Sequence, residues 1–145
     1  MSGASALPDR AWEPTRGFWE AAQRRQLAIP RCDDCGAFVW YPADACRRCA
    51  SAALRWTPVS GGATLYSWAG VSRALFEAFA DRAPYLTGLV ALDEDPSVRL
   101  VTTLVDCRAE ELRIDMPVQV VFRTLAFPGS EDSLLAPMFT PVLRP

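Results

Sequence analysis

The chain has 145 residues, of which 50% are hydrophobic and 22% charged, and its formal net charge is −2. This composition is typical of a soluble globular protein with one domain, or one small domain and an appendage, and it lacks the basic excess of a nucleic-acid-binding protein. All 15 basic residues are arginines, and the absence of histidine and lysine excludes a Ser-His-Asp or Cys-His triad, a Schiff-base lysine and a P-loop lysine. Catalysis by this chain alone would therefore need Asp, Glu, Cys or Tyr side chains.

The chain begins with a segment, residues 1–13, that we predict to be a flexible tail. This segment has no apolar run like that of a signal peptide, and no part of the sequence approaches the ~20 apolar residues of a membrane helix. We therefore expect a cytoplasmic protein with no membrane partner, in which thiols stay reduced.

A helix is predicted directly after the tail, in the segment TRGFWEAAQRRQ that begins at Thr15. Thr15 has the side chain of a helix N-cap. The residues that fall on roughly one face of this helix are Phe18, Trp19, Ala22 and Gln26. We expect this face to pack its aromatic side chains on a neighbouring unit, because the cysteine-rich segment that follows is too short to have much of a core.

Four of the five cysteines lie in CDDCGAFVWYPADACRRC, residues 32–49, as two Cys-x-x-Cys pairs with ten residues between them. In a reducing compartment this spacing is typical of zinc, because each pair aims two sulfurs at one point and two pairs complete a tetrahedron. The predicted ligands of one structural Zn²⁺ per chain are Cys32, Cys35, Cys46 and Cys49. Iron in a rubredoxin-like site and a dithiol redox switch are alternatives, and a catalytic zinc is the weakest one, because four thiolates leave no open coordination position.

The residues around the cysteines predict the rest of a zinc ribbon. The segment Phe38–Tyr41 between the pairs and the segment LAIPR before them favour extended structure, so we expect two short strands that each carry one pair. Gly36 follows the first pair, where a glycine relieves crowding as the chain turns back. Ala50 stands in the matching place after the second pair, which predicts that the second turn is built differently.

The sequence after the second pair is that of a β-rich domain. The strand-like segments are LRWTPV, ATLYSWAGVSR, YLTGLVALDE, VRLVTTLVDC, VQVVFRTL and APMFTPVL. The segment AEEL predicts a single helical turn, and ALFEAFADRAP predicts a short helix or a structured loop. About five strands with one helical turn between the third and the fourth are typical of an OB-fold barrel. The predicted fold is therefore mainly β, with an N-terminal helix and a rubredoxin-like zinc ribbon in residues 14–57 and a five-stranded OB-fold barrel in residues 58–145.

The fifth cysteine, Cys107, stands apart from the other four at the end of an apolar run. We expect it to be a small buried core residue, which is the usual role of a free cysteine in such a place. A reactive thiol is the alternative.

These segments, in this order, resemble the zinc-ribbon/OB-fold acyl-CoA-associated family, domain of unknown function thirty-five (DUF35). The resemblance spans about residues 18–143. The motifs that carry it are FWEAAQRRQLAIPRCDDCG, CRRC, SGGATLYSW, PYLTGLVALDE, EELRIDMPVQVVF and MFTPV. The chain departs from the family at Asp115, where the family usually has glycine.

Members of this family are accessory subunits of thiolase-like enzymes that act on CoA thioesters, namely thiolases, acyltransferases and retro-aldolases, including those of sterol side-chain degradation. The resemblance implies that the catalytic cysteine and histidine belong to the partner, and that this chain stabilises the partner and helps to shape the acyl-CoA entrance. We expect two copies of the chain on a thiolase-type dimer, in a heterotetramer, with no nucleic acid bound. The alternative is a nucleic-acid-binding zinc-ribbon/OB module, which the mildly acidic composition disfavours.

The segment VSRALFEAFADRAPY, residues 71–85, is the predicted site of ligand or partner contact. It joins the first two barrel strands and borders the usual binding face of an OB fold. The candidate residues are Arg73, Phe76, Phe79 and Arg82. Apolar side chains suit an acyl or pantetheine chain, and guanidinium groups suit the phosphates of CoA. The alternative is that the apolar side chains only plug one end of the barrel.

Overall fold

The structure, a computed structural model, describes residues 6–142, so residues 1–5 of the predicted tail and the last three residues lie outside the described range. A helix, α1 (Glu13–Gln23), comes first. The strands that follow are β1 (Leu27–Cys32), β2 (Leu54–Val59), β3 (Gly62–Val71), β4 (Tyr85–Leu92), β5 (Arg99–Leu104), β6 (Pro117–Ala126) and β7 (Ser133–Pro141). Two 3-10 helices, Glu77–Arg82 and Ala109–Glu111, lie in the β3–β4 and β5–β6 connections. Between residues 6 and 142 no helix has the length and apolar character needed to cross a membrane.

The start of α1 differs from the prediction, because Trp12 is the N-cap and Thr15 is buried inside the helix. Pro14 explains the difference. Proline is favoured in the first helical turn, where its missing N–H costs no hydrogen bond and its fixed φ suits the helix. Upstream of the helix, Leu7 packs against apolar side chains of the barrel.

The end of α1 also comes earlier than predicted. Arg25 has a left-handed φ of 58°, and its N–H and that of Gln26 donate to the carbonyls of Ala22 and Ala21. Hydrogen bonds of this pattern terminate a helix. Gln26 therefore lies beyond the helix, and its predicted place on the apolar face is wrong.

The ribbon sheet consists of β1 and β2, which pair antiparallel along all six residues of each strand. The prediction that Phe38–Tyr41 supplies the second strand is wrong, because this segment forms only one isolated bridge, between Arg31 and Phe38. β2 can pair with every residue of β1. The stretch between the cysteine pairs cannot, because Pro42 ends its extended conformation after a few residues. The ribbon therefore closes through β2, and the predicted boundary between residues 57 and 58 falls inside that strand.

The barrel strands follow the order β3-β4-β5-β7-β6 and form a closed barrel, which confirms the predicted five-stranded OB-type fold. Neighbouring strands are antiparallel except β5 and β7, which are parallel and meet at one residue pair, Leu104 opposite Phe139. The largest fully buried barrel side chains are Leu65, Val90, Leu92, Val118 and Phe139. The 3-10 helix Ala109–Glu111 is the predicted helical turn between the third and fourth barrel strands.

α1 packs against both the ribbon and the barrel and thereby joins them. The ring of Phe18 lies 5.0 Å from that of Trp19 and 5.5 Å from that of Trp40, measured between centroids. The carboxamide of Gln23 donates to the carbonyl of Leu135 at 3.0 Å and accepts from its N–H at 2.9 Å. Leu135 lies in β7, so this side chain takes the place of a neighbouring strand.

Gly17 lets α1 approach the ribbon, because a Cβ at this position would overlap the indole ring of Trp56 in β2. We therefore expect Gly17→Ala to lower the free energy of unfolding by about 1–3 kcal/mol, as overpacking does elsewhere. Urea denaturation followed by fluorescence measures this change. In an unobstructed helix the same substitution stabilises by roughly 0.5–1 kcal/mol, so a gain in stability would contradict the contact. As a control, Gly17→Ala in a Trp56→Ala background should cost little.

Candidate metal centre and contact loop

The four cysteines of the predicted zinc site come together at one end of the ribbon. Cys32 ends β1, Cys35 lies in the turn that follows, and the other two lie in a second turn before β2. All four Sγ atoms lie within 4.8 Å of one another. The Sγ–Sγ distance is 3.6 Å from Cys32 to Cys49 and 3.6 Å from Cys35 to Cys46. Sulfurs about 2.3 Å from one tetrahedral ion stand about 3.8 Å apart, so the cluster fits a single metal ion.

The two cysteine turns have the same backbone conformation. The N–H of Gly36 donates to the carbonyl of Cys32 at 2.9 Å, and the N–H of Ala50 donates to the carbonyl of Cys46 at 2.8 Å. Both residues are left-handed, with φ of 76° at Gly36 and 63° at Ala50. The prediction of a different second turn is therefore wrong: the hydrogen bond that aims the two sulfurs imposes the left-handed conformation, and Ala50 adopts it despite its Cβ.

Ala50 thus holds a conformation that costs an L-residue with a Cβ roughly 1–2 kcal/mol. We expect Ala50→Gly to raise the free energy of unfolding by about 1 kcal/mol, less the entropy that glycine adds to the unfolded chain. Gly36→Ala is the matched variant and should lower the free energy by a similar amount. Denaturant titrations of the metal-loaded protein measure both changes, and a destabilising Ala50→Gly would contradict the argument.

Backbone N–H groups around the cluster favour ionised thiols. The N–H of Cys35 lowers the pKa of the Cys32 thiol. The N–H groups of Cys49 and of the residue before it lower the pKa of Cys46 to about 7. At Cys49 the N–H of Ser51 lowers the pKa, but the thiols of Cys32, Cys35 and Cys46 outweigh it, and the pKa rises to about 12. A divalent cation at the centre would remove this competition, because it favours the thiolate form of all four ligands.

The burial of the cluster suits a structural centre. Two of the sulfur-bearing residues are buried, Cys35 is half-buried and Cys49 is exposed. The Nε of Arg31 donates to the carbonyl of Gly36 at 2.9 Å, and its guanidinium carbon lies 5.1 Å from the ring centroid of Phe38. These contacts fix the first cysteine turn from outside. Four protein thiolates complete a tetrahedral shell, so the donor set suits an ion that holds the ribbon together and leaves no position for a substrate.

Cys107 does not belong to the cluster. It is half-buried and packs against the main apolar core. Burial raises the pKa of its thiol, and the carboxylates of Glu111 and Asp106 raise it further. A raised pKa lowers the thiolate fraction, so these surroundings favour the core role over the reactive thiol.

The four predicted contact residues fall into two pairs that differ in their contacts. In the first pair, Phe79 and Arg82 pack against the barrel at the base of the loop. The ring of Phe79 lies 5.0 Å from that of Phe127. The guanidinium carbon of Arg82 lies 4.6 Å from the same ring centroid, and Arg82 donates a hydrogen bond to the carbonyl of Ala126. This contact joins parts of the chain that are distant in sequence, and no local pattern around Arg82 indicates it.

Arg73 and Phe76 are exposed instead. Phe76 is 71% exposed and its neighbour Leu75, which the predicted set omitted, is 92% exposed. Arg73 forms no ion pair with any residue that the structure describes. Two adjoining apolar side chains that no part of the described chain covers are typical of a contact surface. We call the exposed part of the loop, residues 73–76, the loop tip.

Two family models match consecutive parts of the chain. The model described as "ChsH2, rubredoxin-like zinc ribbon domain" matches residues 19–55, and the model described as "ChsH2, C-terminal OB-fold domain" matches residues 56–123. The first range contains all four clustered cysteines, and the second contains most of the barrel. The matched families thus have the two folds observed here, in the same order.

Similar proteins are known by sequence and by structure. The chain is 31% identical over 137 residues to the probable enoyl-CoA hydratase alpha subunit of Thermomonospora curvata, a match that covers 94% of this chain and 40% of that protein. It is 30% identical over 128 residues to a DUF35 domain-containing scaffold protein of Methanothermobacter thermautotrophicus, covering 86% of this chain and 91% of the relative. Among solved structures, a chain of the Ltp2-ChsH2(DUF35) aldolase is 30% identical with a TM-score of 0.76, and the match covers 94% of this chain and 98% of that one.

The relatives differ in how much of their own length this chain covers. The chain spans less than half of the Thermomonospora protein, but it spans nearly all of the scaffold protein and of the aldolase chain. Its ribbon, barrel and connecting helix are therefore matched as one unit. From the two family matches and these relatives, the chain belongs to the DUF35 family, in which a rubredoxin-like zinc ribbon precedes an OB-fold domain.

Proposed function

We propose that this chain is a non-catalytic accessory subunit of a thiolase-like complex, a thiolase, acyltransferase or retro-aldolase that acts on acyl-CoA thioesters. The observation that carries the proposal is the match over 94% of the chain to a chain of the Ltp2-ChsH2(DUF35) aldolase. The name of the Thermomonospora relative also refers to a CoA thioester, as one subunit of a larger enzyme. In this role the chain stabilises its partner and shapes the acyl-CoA entrance.

The residues of the chain support a division of labour in which the partner supplies the chemistry. The sequence contains no histidine or lysine, which are the usual bases and amine nucleophiles of enzymes. The four clustered thiols lie within 4.8 Å of one another, as the ligands of one ion would, and burial raises the pKa of Cys107. The side chains that remain are suited to binding and positioning.

The proposed metal is one Zn²⁺ per chain, held by Cys32, Cys35, Cys46 and Cys49. The distances among the four Sγ atoms and the pure thiolate donor set support this choice. The ion contributes folding free energy, and the four side chains fix the two turns that join β1 to β2. The remaining arrangement of the complex follows the expectation from the family: two copies on a thiolase-type dimer, in the cytoplasm, with acyl-CoA bound near the interface.

The proposal is tested by co-expression of this chain with a thiolase-like catalytic subunit from the same organism. We expect a stable complex by size-exclusion chromatography with light scattering, acyl-CoA turnover by the complex, and none by this chain alone. Turnover by the chain alone, or failure to form any complex, would overturn the proposal. Binding to single-stranded DNA that weakens with salt would favour the nucleic-acid-binding alternative.

Arg73 is the residue proposed to meet the phosphates of the acyl-CoA. The loop tip leaves its guanidinium free of ion pairs within residues 6–142. We expect Arg73→Ala to raise the KM of the complex for acyl-CoA about tenfold with little change in kcat, as the loss of one charge-assisted contact would do. Arg113→Ala, another exposed arginine, is the matched control and should leave KM unchanged.

A further inference from the structure

The barrel is closed between β5 and β7 by one residue pair, and we call this weakly paired junction the seam. These strands meet at a single pair, Leu104 opposite Phe139, where the N–H of Val105 donates to the carbonyl of Phe139 at 2.9 Å. No other residue pair of these two strands is aligned in the described chain. Pro137, two residues before Phe139, has no N–H to offer β5, which helps to explain why the pairing stops there.

The pattern of hydrogen bonds between β4 and β5 shows which backbone groups of β5 face the seam. The N–H of Leu92 donates to the carbonyl of Val98 at 3.1 Å, and hydrogen-bonded pairs alternate with unbonded pairs along an antiparallel ladder. Every second residue from Val98 therefore bonds to β4. The N–H and C=O of Val101 point the opposite way, toward the seam, and no group in residues 6–142 pairs with them.

α1 and the ribbon turn the seam into a groove. Gln23 occupies one end of the seam through its two hydrogen bonds to Leu135. The remaining space is a cavity of about 430 Å³. Its aromatic lining consists of Trp12, Phe18, Trp19, Trp40, Tyr41 and Phe139. Trp12 and Tyr41 at the rim are each 50% exposed, and the side chain of Val101 is 81% exposed.

We propose that this groove binds an extended segment of another protein, which adds as a strand to the free edge of β5. The N–H and C=O of Val101 point outward from the same residue, and the backbone of an extended peptide can pair with both, as a neighbouring strand does. Alternate side chains of the segment would contact the aromatic wall, which gives the site its selectivity for apolar residues. The guanidinium carbon of Arg99, also on β5, lies 3.9 Å from the ring centroid of Tyr66. Arg99 forms no ion pair with the described residues, so its charge can attract a carboxylate of the same segment. This interaction does not depend on the proposed enzymatic role.

The test uses the full chain and peptides selected on it from a phage-displayed random library, with affinities measured by fluorescence anisotropy. Val101→Pro removes the outward N–H but no hydrogen bond to β4, and Val101→Ala is the matched control that keeps the N–H. We expect Val101→Pro to weaken binding about tenfold or more, as the loss of a backbone bond at a strand edge would do. Val101→Ala should change the affinity by less than about threefold.

Amide hydrogen exchange gives a second measurement that needs no variant. In the unbound chain the Val101 N–H should exchange fast and the neighbouring Thr102 N–H slowly, because only the latter bonds to β4. A selected peptide should protect Val101 and leave Thr102 unchanged. The proposal is overturned if no selected peptide protects Val101, or if Val101→Pro binds like the parent. It is also overturned if the parent chain is a dimer that Val101→Pro separates, since the occupant would then be a second copy.

Discussion

Cys35→Ser is expected to lose the bound metal and to unfold the ribbon, with the largest loss of stability of any substitution considered for this chain. Structural zinc in small four-ligand sites contributes on the order of 10 kcal/mol to folding. A serine hydroxyl is a poor zinc ligand. Without the ion, the three remaining cysteines would no longer be held together as thiolates. Elemental analysis should give about one zinc and little iron for the parent chain, and much less than one zinc for the variant.

The effect should extend into the barrel, because β1 contributes to both units. Leu27 and Ile29 in β1 are buried within the same apolar cluster as the barrel side chains. Loss of the ribbon would therefore expose part of the main core, and the midpoint of thermal unfolding should fall for the whole chain. Cys107→Ala is the control and should keep its metal content, so zinc loss in that variant would show that the ligand set is wrong.

Leu75→Asp with Phe76→Asp is expected to abolish assembly with the proposed catalytic partner while the chain itself stays folded. Both side chains are mostly exposed, so they contribute little to the fold. The few residues that dominate an interface lie near its centre and cost about 2 kcal/mol or more when lost, which is about thirtyfold in affinity. Two buried carboxylates would add a desolvation penalty to that loss.

Co-purification with the tagged partner, followed by titration calorimetry, measures this loss. Ile114→Asp is the matched control, because Ile114 is also a large apolar side chain that is 57% exposed, in a different connection. It should assemble like the parent. If the double variant assembles normally, the loop tip does not lie at the interface, and its apolar side chains need another explanation.

The sequence predicted those features that depend on local patterns. The spacing of the four cysteines was sufficient to expect one cluster, because each Cys-x-x-Cys pair forms its turn within five residues. The five barrel strands were recognisable from runs of β-branched and aliphatic residues between turn signals. The single helical turn at Ala109–Glu111 was also predicted from a local pattern, the segment AEEL.

The features that the sequence did not predict depend on contacts between distant parts of the chain. β1 could have paired with Phe38–Tyr41 nearby or with β2 farther along, and local propensity does not distinguish the two. The left-handed conformation of Ala50 is imposed by its turn and is not indicated by its residue type. The role of Arg82 depends on Phe127, which folding alone brings to its side. The aromatic groove likewise draws on the helix, the ribbon and two barrel strands.

The hydrogen bonds of Gln23 have a consequence for the order in which the molecule assembles. They connect α1, near the start of the chain, to Leu135 in the last strand, 112 residues away. During synthesis α1 is made well before Leu135, whose carbonyl and N–H are the hydrogen-bond partners of the Gln23 carboxamide. Until then Trp19 of α1 lacks the β7 side chains against which it packs, and such long-range closure is slow. The growing chain therefore exposes the aromatic face of α1 until β7 is made, and in that interval a partner subunit or a chaperone can engage it.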